Sequence, residues 1–196
     1  MTIITGGIGC GKSVVSQLLR VMGYPVYDCA REARRLMSDD PELRQALCDA
    51  FGAETFLSNG TLNKPYLATR IFGDAERLAQ MNALVHPAVA RDIVRRNAIG
   101  HKPLFVETAI YFESGFSRLI PADHVWCIAA PLELRIERAI ARDHSTREKI
   151  LARIGSQMPQ EEKIKKADAV IWNDSTHSVI EQVNEILREE SGTTRL

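Results

Sequence analysis

The chain has 196 residues, which suits one large domain or a core domain with an insertion rather than a string of modules. Its 25 Lys and Arg balance 25 Asp and Glu, so the basic excess of a general nucleic-acid binder is missing. Hydrophobic residues make up 45%, enough for a sizeable core, yet no apolar run nears the ~18 residues a membrane span needs; the best, 125–132, is short and broken by Pro131.

The amino-terminal MTIITGGIGC has no basic stretch ahead of an apolar one, so it does not read as a signal peptide. Four cysteines (Cys10, Cys29, Cys48, Cys127) form no C-x-x-C pair and read as reduced thiols. The five histidines show no i,i+4 pairing, which argues against zinc. The expectation is a cytoplasmic protein with neither membrane nor nucleic acid as partner.

In chain order, a short apolar run at 3–5 predicts a first strand, followed by a helix over 13–22 that Gly23 stops. A second strand is expected at 25–28. Helical periodicity then occupies 30–37, 41–51, 64–72, 75–85 and 87–99, far more than one crossover needs. Strands at 104–107, 124–129 and 169–172 follow, with a charge-dense helical pair over 132–166 between the last two. The polar tail 191–196 is expected to fray. Strands alternating with helices predict a parallel sheet covered on both faces. The organisation is therefore a core of 1–30 and 101–196, carrying a helical segment at about 132–166, interrupted by a helical insertion at 31–100.

Residues Gly6-Gly7-Ile8-Gly9-Cys10-Gly11-Lys12-Ser13 fit G-x-x-x-x-G-K-[ST], with a strand before and an amphipathic helix after. Glycines let such a loop wrap phosphates with its amides inward, and the helix start adds the positive end of its dipole. In this reading Lys12 reaches the β- and γ-phosphates and the Ser13 hydroxyl ligates Mg²⁺. The alternative is a glycine-rich turn with no ligand, which the strand–loop–helix context opposes. A guanine-reading loop is not found: Asn63-Lys64-Pro65-Tyr66 lacks the required Asp, and Asp49-Ala50-Phe51-Gly52 falls in a helical segment. A large helical insertion after the second strand suits a small-molecule kinase, in which it holds the phosphoryl acceptor and an arginine-bearing lid closes over ATP.

Several stretches, in order over nearly the whole chain, resemble the dephospho-CoA kinase family. They are TGGIGCGKS at 5–13, LNK at 62–64, MNALVHP at 81–87, PLFVE at 103–107, PLELRIERAIAR at 131–142, RIGSQ at 153–157 and ADAVIWN at 167–173. The resemblance implies an α/β fold: a P-loop NTPase core with a five-stranded parallel sheet, a helical acceptor-binding insertion and a helical lid. It implies ATP-dependent phosphorylation of the 3′-hydroxyl of dephospho-CoA with Mg²⁺. Gly9, Cys10, Gly11, Lys12, Ser13 and Val14 would hold ATP, with Asn173 beside the adenine. Arg138 and Arg142 match lid positions that stabilise the transferred phosphoryl group, while Arg135 replaces a common Gln and reads as a solvated bystander.

Asn82 and His86, i,i+4 on one helix face that Pro87 limits, are either acceptor contacts or a capping and packing pair. Glu107 ends an apolar strand, where ligands of open α/β sheets sit. It could hold a Mg²⁺-bound water or the acceptor; a buried structural carboxylate is the other reading. The clusters Arg34–Arg35, Arg95–Arg96 and 163–166 read as solvated faces, with contact of one of them to the acceptor's pyrophosphate as the other reading. One departure stands out. The family usually carries D-A-D after the second strand, and here Asp28-Cys29-Ala30 keeps only the first acid. Asp28 is then the candidate base or metal organiser; a kinase for another small acceptor, or a regulator that has lost catalysis, remain alternatives.

Overall fold

The computed structural model describes residues 1–71, 73–113 and 115–193. It divides into two compact units, one of Met1–Tyr27 with Gly100–Leu196 and one of Asp28–Ile99.

The first unit is built on β1 (Thr2–Thr5), α1 (Lys12–Val21) and β2 (Val26–Asp28), whose last residue opens the second unit. The second unit holds α2 (Cys29–Asp39), α3 (Pro41–Phe51), α4 (Lys64–Ile71) and α5 (Ala75–Ile99), with a 3-10 turn at Ala53–Thr55. The chain then returns through β3 (Phe105–Glu107), a short α6 (Phe116–Leu119), β4 (His124–Ala129), α7 (Leu132–Asp143), α8 (Arg147–Gly155), α9 (Gln160–Lys166), β5 (Ala169–Trp172) and α10 (Val179–Thr193). The sheet is five-stranded and parallel, in the order β2-β3-β1-β4-β5.

All four residues of β1 are buried, as are five of six in β4, because both faces of these central strands are covered. Leu19 from α1, Val183 from α10 and Ile4, Phe105, Trp126, Ile128 and Ile171 from the strands share one core. Phe105 stacks at a tilt on Trp126, ring centres 5.1 Å apart, and the indole N–H of Trp126 is satisfied by Glu190 Oε1 at 2.7 Å. Strand order reverses about β1, since β3 lies on one side and β4 on the other. The loop after β1 thus opens at the switch point where α/β sheets bind ligands.

The structure departs from expectation in four places. Pro87 does not separate two helices: α5 is continuous through it. Proline costs a helix interior one hydrogen bond and some strain, but buried Val85, Ala88, Val89 and Ile93 flank it, and their packing carries the helix across. The segment 132–166 holds three helices rather than a pair, broken at His144, which takes a left-handed conformation (φ 49°), and at Pro159. The short α6 was not expected at all, being too brief to show periodicity. The expected tail begins inside α10, which runs to Thr193; residues 194–196, and Phe72 of the expected 64–72 helix, lie outside the described residues. No described helix is long and apolar enough to cross a membrane.

Candidate active site

The loop of residues 6–13 joins β1 to α1 and is held from three directions. Gly11, at φ 94°, is the N-cap of α1, and a Cβ there would overlap Asn173 Nδ2. Lys12 Nζ donates to the carbonyls of Gly6 at 2.9 Å and Gly7 at 3.0 Å, so the loop's own backbone holds the ammonium. Ser13 and Val14 stand exposed in the first turn of α1, at the positive end of the helix dipole.

Asn173, just past β5, connects this loop to the α7 helix. Its backbone N–H donates to Ala129 O at 2.8 Å and its Nδ2 donates to Cys10 O at 3.0 Å. Arg138 Nη1 donates in turn to Asn173 O at 2.9 Å. One chain of hydrogen bonds thereby links Cys10, Asn173 and Arg138. Arg142 is placed differently. Its Nε donates to Asp143 Oδ1 at 2.7 Å, and Arg153 Nη1 donates to Asp143 Oδ2 at 2.6 Å. Hydrogen bonds from Arg142 and Arg153 hold the Asp143 carboxyl far below the ordinary carboxylate range, and the same contact pushes Arg142 up.

Glu107 ends β3 opposite Ile4 of β1 and is half-buried. Its carboxylate makes no hydrogen bond or ion pair among the described residues. Cys127, fully buried in β4 beside β1, has its thiol pushed up to about 12 by burial and by the nearby Cys10.

The remaining expected residues belong to the second unit. Asp28 Oδ1 accepts from the Arg31 N–H at 3.0 Å, capping α2, and Ala30 is exposed in that helix's first turn. Asn82 and His86 are half-buried one turn apart on α5, and burial holds the His86 imidazole below its ordinary value.

Of the basic positions expected at solvated faces, two are buried and two more are half-buried in ion pairs. Arg135 is buried, 6% exposed, with Nε donating to Ile8 O at 3.0 Å. Lys163 is fully buried, paired with Glu113 at 2.6 Å and donating to Ala109 O. Arg35 and Arg96 both bond Glu32 at 2.7 Å, and both also reach Asp92. The reason is common to all four: a buried carboxylate or carbonyl needs a donor, and a long basic side chain supplies one while its stem packs. Arg34 remains exposed as expected. Gln157 carries a role that spacing does not reveal, its Oε1 accepting from the Ile8 N–H at 2.9 Å; its only signal was its place in the RIGSQ stretch.

The dephospho-CoA kinase family model matches residues 1–178. The chain belongs to the dephospho-CoA kinase family. A dephospho-CoA kinase of Bacteroides fragilis is 46% identical over 191 residues, covering 94% of this chain and 89% of that one. Among solved structures, TT1252 from Thermus thermophilus superposes with a TM-score of 0.82 at 36% identity, covering 96% of each chain. A dephospho-CoA kinase from Campylobacter jejuni gives 0.69 at 25% identity over 98% of each. Membership makes the protein a nucleotide-dependent kinase of α/β fold, and the expected family and fold are borne out.

Proposed function

We propose that the protein transfers the γ-phosphoryl group of ATP to the ribose 3′-hydroxyl of dephospho-CoA, giving coenzyme A and ADP. The observation that carries the reading is the phosphate loop at the sheet's switch point, with Lys12 folded into it and family resemblance running the length of the chain. Neutral overall charge and free thiols suit a cytoplasmic setting without nucleic acid or membrane as partner.

In the reaction the acceptor oxygen forms a bond to the γ-phosphorus while the bond to the ADP oxygen breaks. Little covalent work falls to the protein, so its task is positioning and charge. Loop amides and Lys12 hold the polyphosphate, and Val14 borders it. Arg138 and Arg142 neutralise charge spreading over the transferred group. For Arg142 this requires trading its Asp143 contact for phosphate. Asp28 takes the hydroxyl proton, a task for which Ala30 offers no help. Asn82 and His86, in the insertion, contact the acceptor, and Asn173 borders the adenine while it holds the loop.

The exposed Ser13 hydroxyl and the Glu107 carboxylate, which has no partner among the described residues, are hard oxygen donors of the kind Mg²⁺ accepts, Glu107 acting directly or through water. Held there, Mg²⁺ would supply neutralisation of the polyphosphate's charge.

A coupled ADP-release assay tests this reading. ADP should form only with dephospho-CoA present, and Lys12→Ala should abolish it while the folded chain's circular dichroism stays unchanged. Equal ADP release without acceptor, or full activity in Lys12→Ala, would overturn it.

A further inference from the structure

Arg135 poses an energetic question. A guanidinium nine-tenths buried is costly to desolvate unless an anion or a full set of acceptors surrounds it. Among the described residues it has one partner, the Ile8 carbonyl, bonded through Nε; no carboxylate pairs with it and neither Nη group makes a hydrogen bond. Those Nη groups lie against the phosphate loop. A Cβ built on Gly7 would overlap Arg135 Nη2, and one on Gly9 would overlap the Arg135 carbonyl oxygen. Gly9 has a positive φ of 77°, which alone would favour glycine, but Gly7 does not. At Gly7 it is the approach of the guanidinium that leaves no room for a side chain.

The same loop segment holds Lys12, also without a carboxylate partner among the described residues, on the Gly6 and Gly7 carbonyls. Two cations without protein counter-ions thus bracket one short stretch of backbone. Lys163, the other buried cation among the described residues, is by contrast neutralised by Glu113 at 2.6 Å. The contrast marks a place prepared for an anion of more than one negative charge.

We infer that Arg135 is an additional phosphate-binding residue, with Nε fixing the Ile8 peptide and the Nη groups compensating the charge of the nucleotide's polyphosphate. Gln157, holding the N–H of the same Ile8, fixes the peptide's other side. The inference rests on the reading that this loop holds ATP. A Gln at this position, the common residue in the resemblance, keeps an N–H for the Ile8 carbonyl but brings no charge. The substitution Arg135→Gln therefore separates charge from strap.

Calorimetric titration of wild type and Arg135→Gln with ATP and with AMP decides it, with thermal melts confirming that each is folded. Hydrogen bonds to charged groups are strong, so Arg135→Gln should weaken ATP by about tenfold or more and leave AMP nearly unchanged. Its ligand-free melting temperature should hold or rise, since an uncompensated buried charge is gone. Gly7→Ala, which keeps the charge but displaces the guanidinium, should weaken ATP in the same way and add little to Arg135→Gln. ATP affinity unchanged in Arg135→Gln, or ATP and AMP weakened equally, overturns the inference while wild-type turnover leaves the functional reading standing. A wild-type chain that binds no ATP overturns both.

Discussion

Asn173 Nδ2 donates to the carbonyl of Cys10 across 163 residues of sequence, at 3.0 Å. The contact ties the end of β5 to the middle of the phosphate loop, and Arg138 completes the tie from α7 through the Asn173 carbonyl. The loop's shape is thus held by groups from two separate elements, the end of β5 and α7, before any nucleotide supplies its own contacts. Preorganisation of this kind saves ordering cost when ATP binds.

Removing that tie should therefore be felt in nucleotide binding first. Asn173→Ala is expected to raise the KM for ATP by about tenfold, the worth of a hydrogen bond or two, with a smaller effect on the KM for dephospho-CoA. Asn173→Asp should be no better, because a carboxylate cannot donate to the Cys10 carbonyl. Steady-state kinetics with each substrate varied in turn checks both. An unchanged KM for ATP in Asn173→Ala would show the loop to be held without it.

The acid at the end of β2 gives a second test. Asp28→Asn should lower kcat by about a hundredfold or more if Asp28 is the base, the usual scale of general-base assistance. Stability should change little, because Asn caps a helix as well as Asp and can still accept from the Arg31 N–H. Ala30→Asp restores the second acid and should raise kcat, making Asp28→Asn milder in that background. If Asp28→Asn is silent in both backgrounds, Asp28 is a helix cap and nothing more.

Glu32 is 4% exposed at the centre of the second unit's ionic network. Burial pushes its carboxyl up, but hydrogen bonds from Arg35 and Arg31 and the charge of Arg96 outweigh burial and hold it below 4.5. The stability this supplies is present above pH 4.5 and is lost as pH falls through the lower folded value. Glu32→Gln should cost about 2–3 kcal/mol at pH 7, under the full figure for breaking a buried pair, because Arg35 and Arg96 stay partly in water. Urea melts at pH 7 and pH 3 measure it. The difference between wild type and Glu32→Gln should shrink at the lower pH; a constant difference would mean packing, not charge, is at stake.

His86 should be neutral at pH 7. Burial holds its imidazole below 6.5, so its contribution to stability is present above pH 6.5 and declines as pH falls from there through the folded value. An NMR titration of the ring protons should give a midpoint below 6.5. A midpoint above it would show that a charged partner, rather than burial, governs the site.

Sequence pattern carried the strands and the phosphate loop, because each has a local signature: β-branched runs, and glycines at fixed offsets between a strand and a helix. It failed where burial is decided by partners distant in the chain. Spacing puts Arg135, Arg138 and Arg142 on one face of α7, yet cannot say that the first lies against Ile8 while the last lies beside Asp143. Lys163 sits in a run of charges that looks solvated, and only Glu113 and Ala109, some fifty residues earlier, explain its burial. Pro87 misled for the opposite reason. Its local rule is sound, but packing of Val85, Ala88, Val89 and Ile93 overrides it.

The most direct test of phosphoryl transfer to the ribose is the structure of the product. Incubating the purified chain with Mg²⁺, ATP and dephospho-CoA, then locating the new phosphate by ³¹P NMR and mass spectrometry, should give coenzyme A phosphorylated at the 3′-hydroxyl, one equivalent for each ADP released. Phosphate on another hydroxyl, or ADP accumulating with free inorganic phosphate and unmodified dephospho-CoA, would contradict the account.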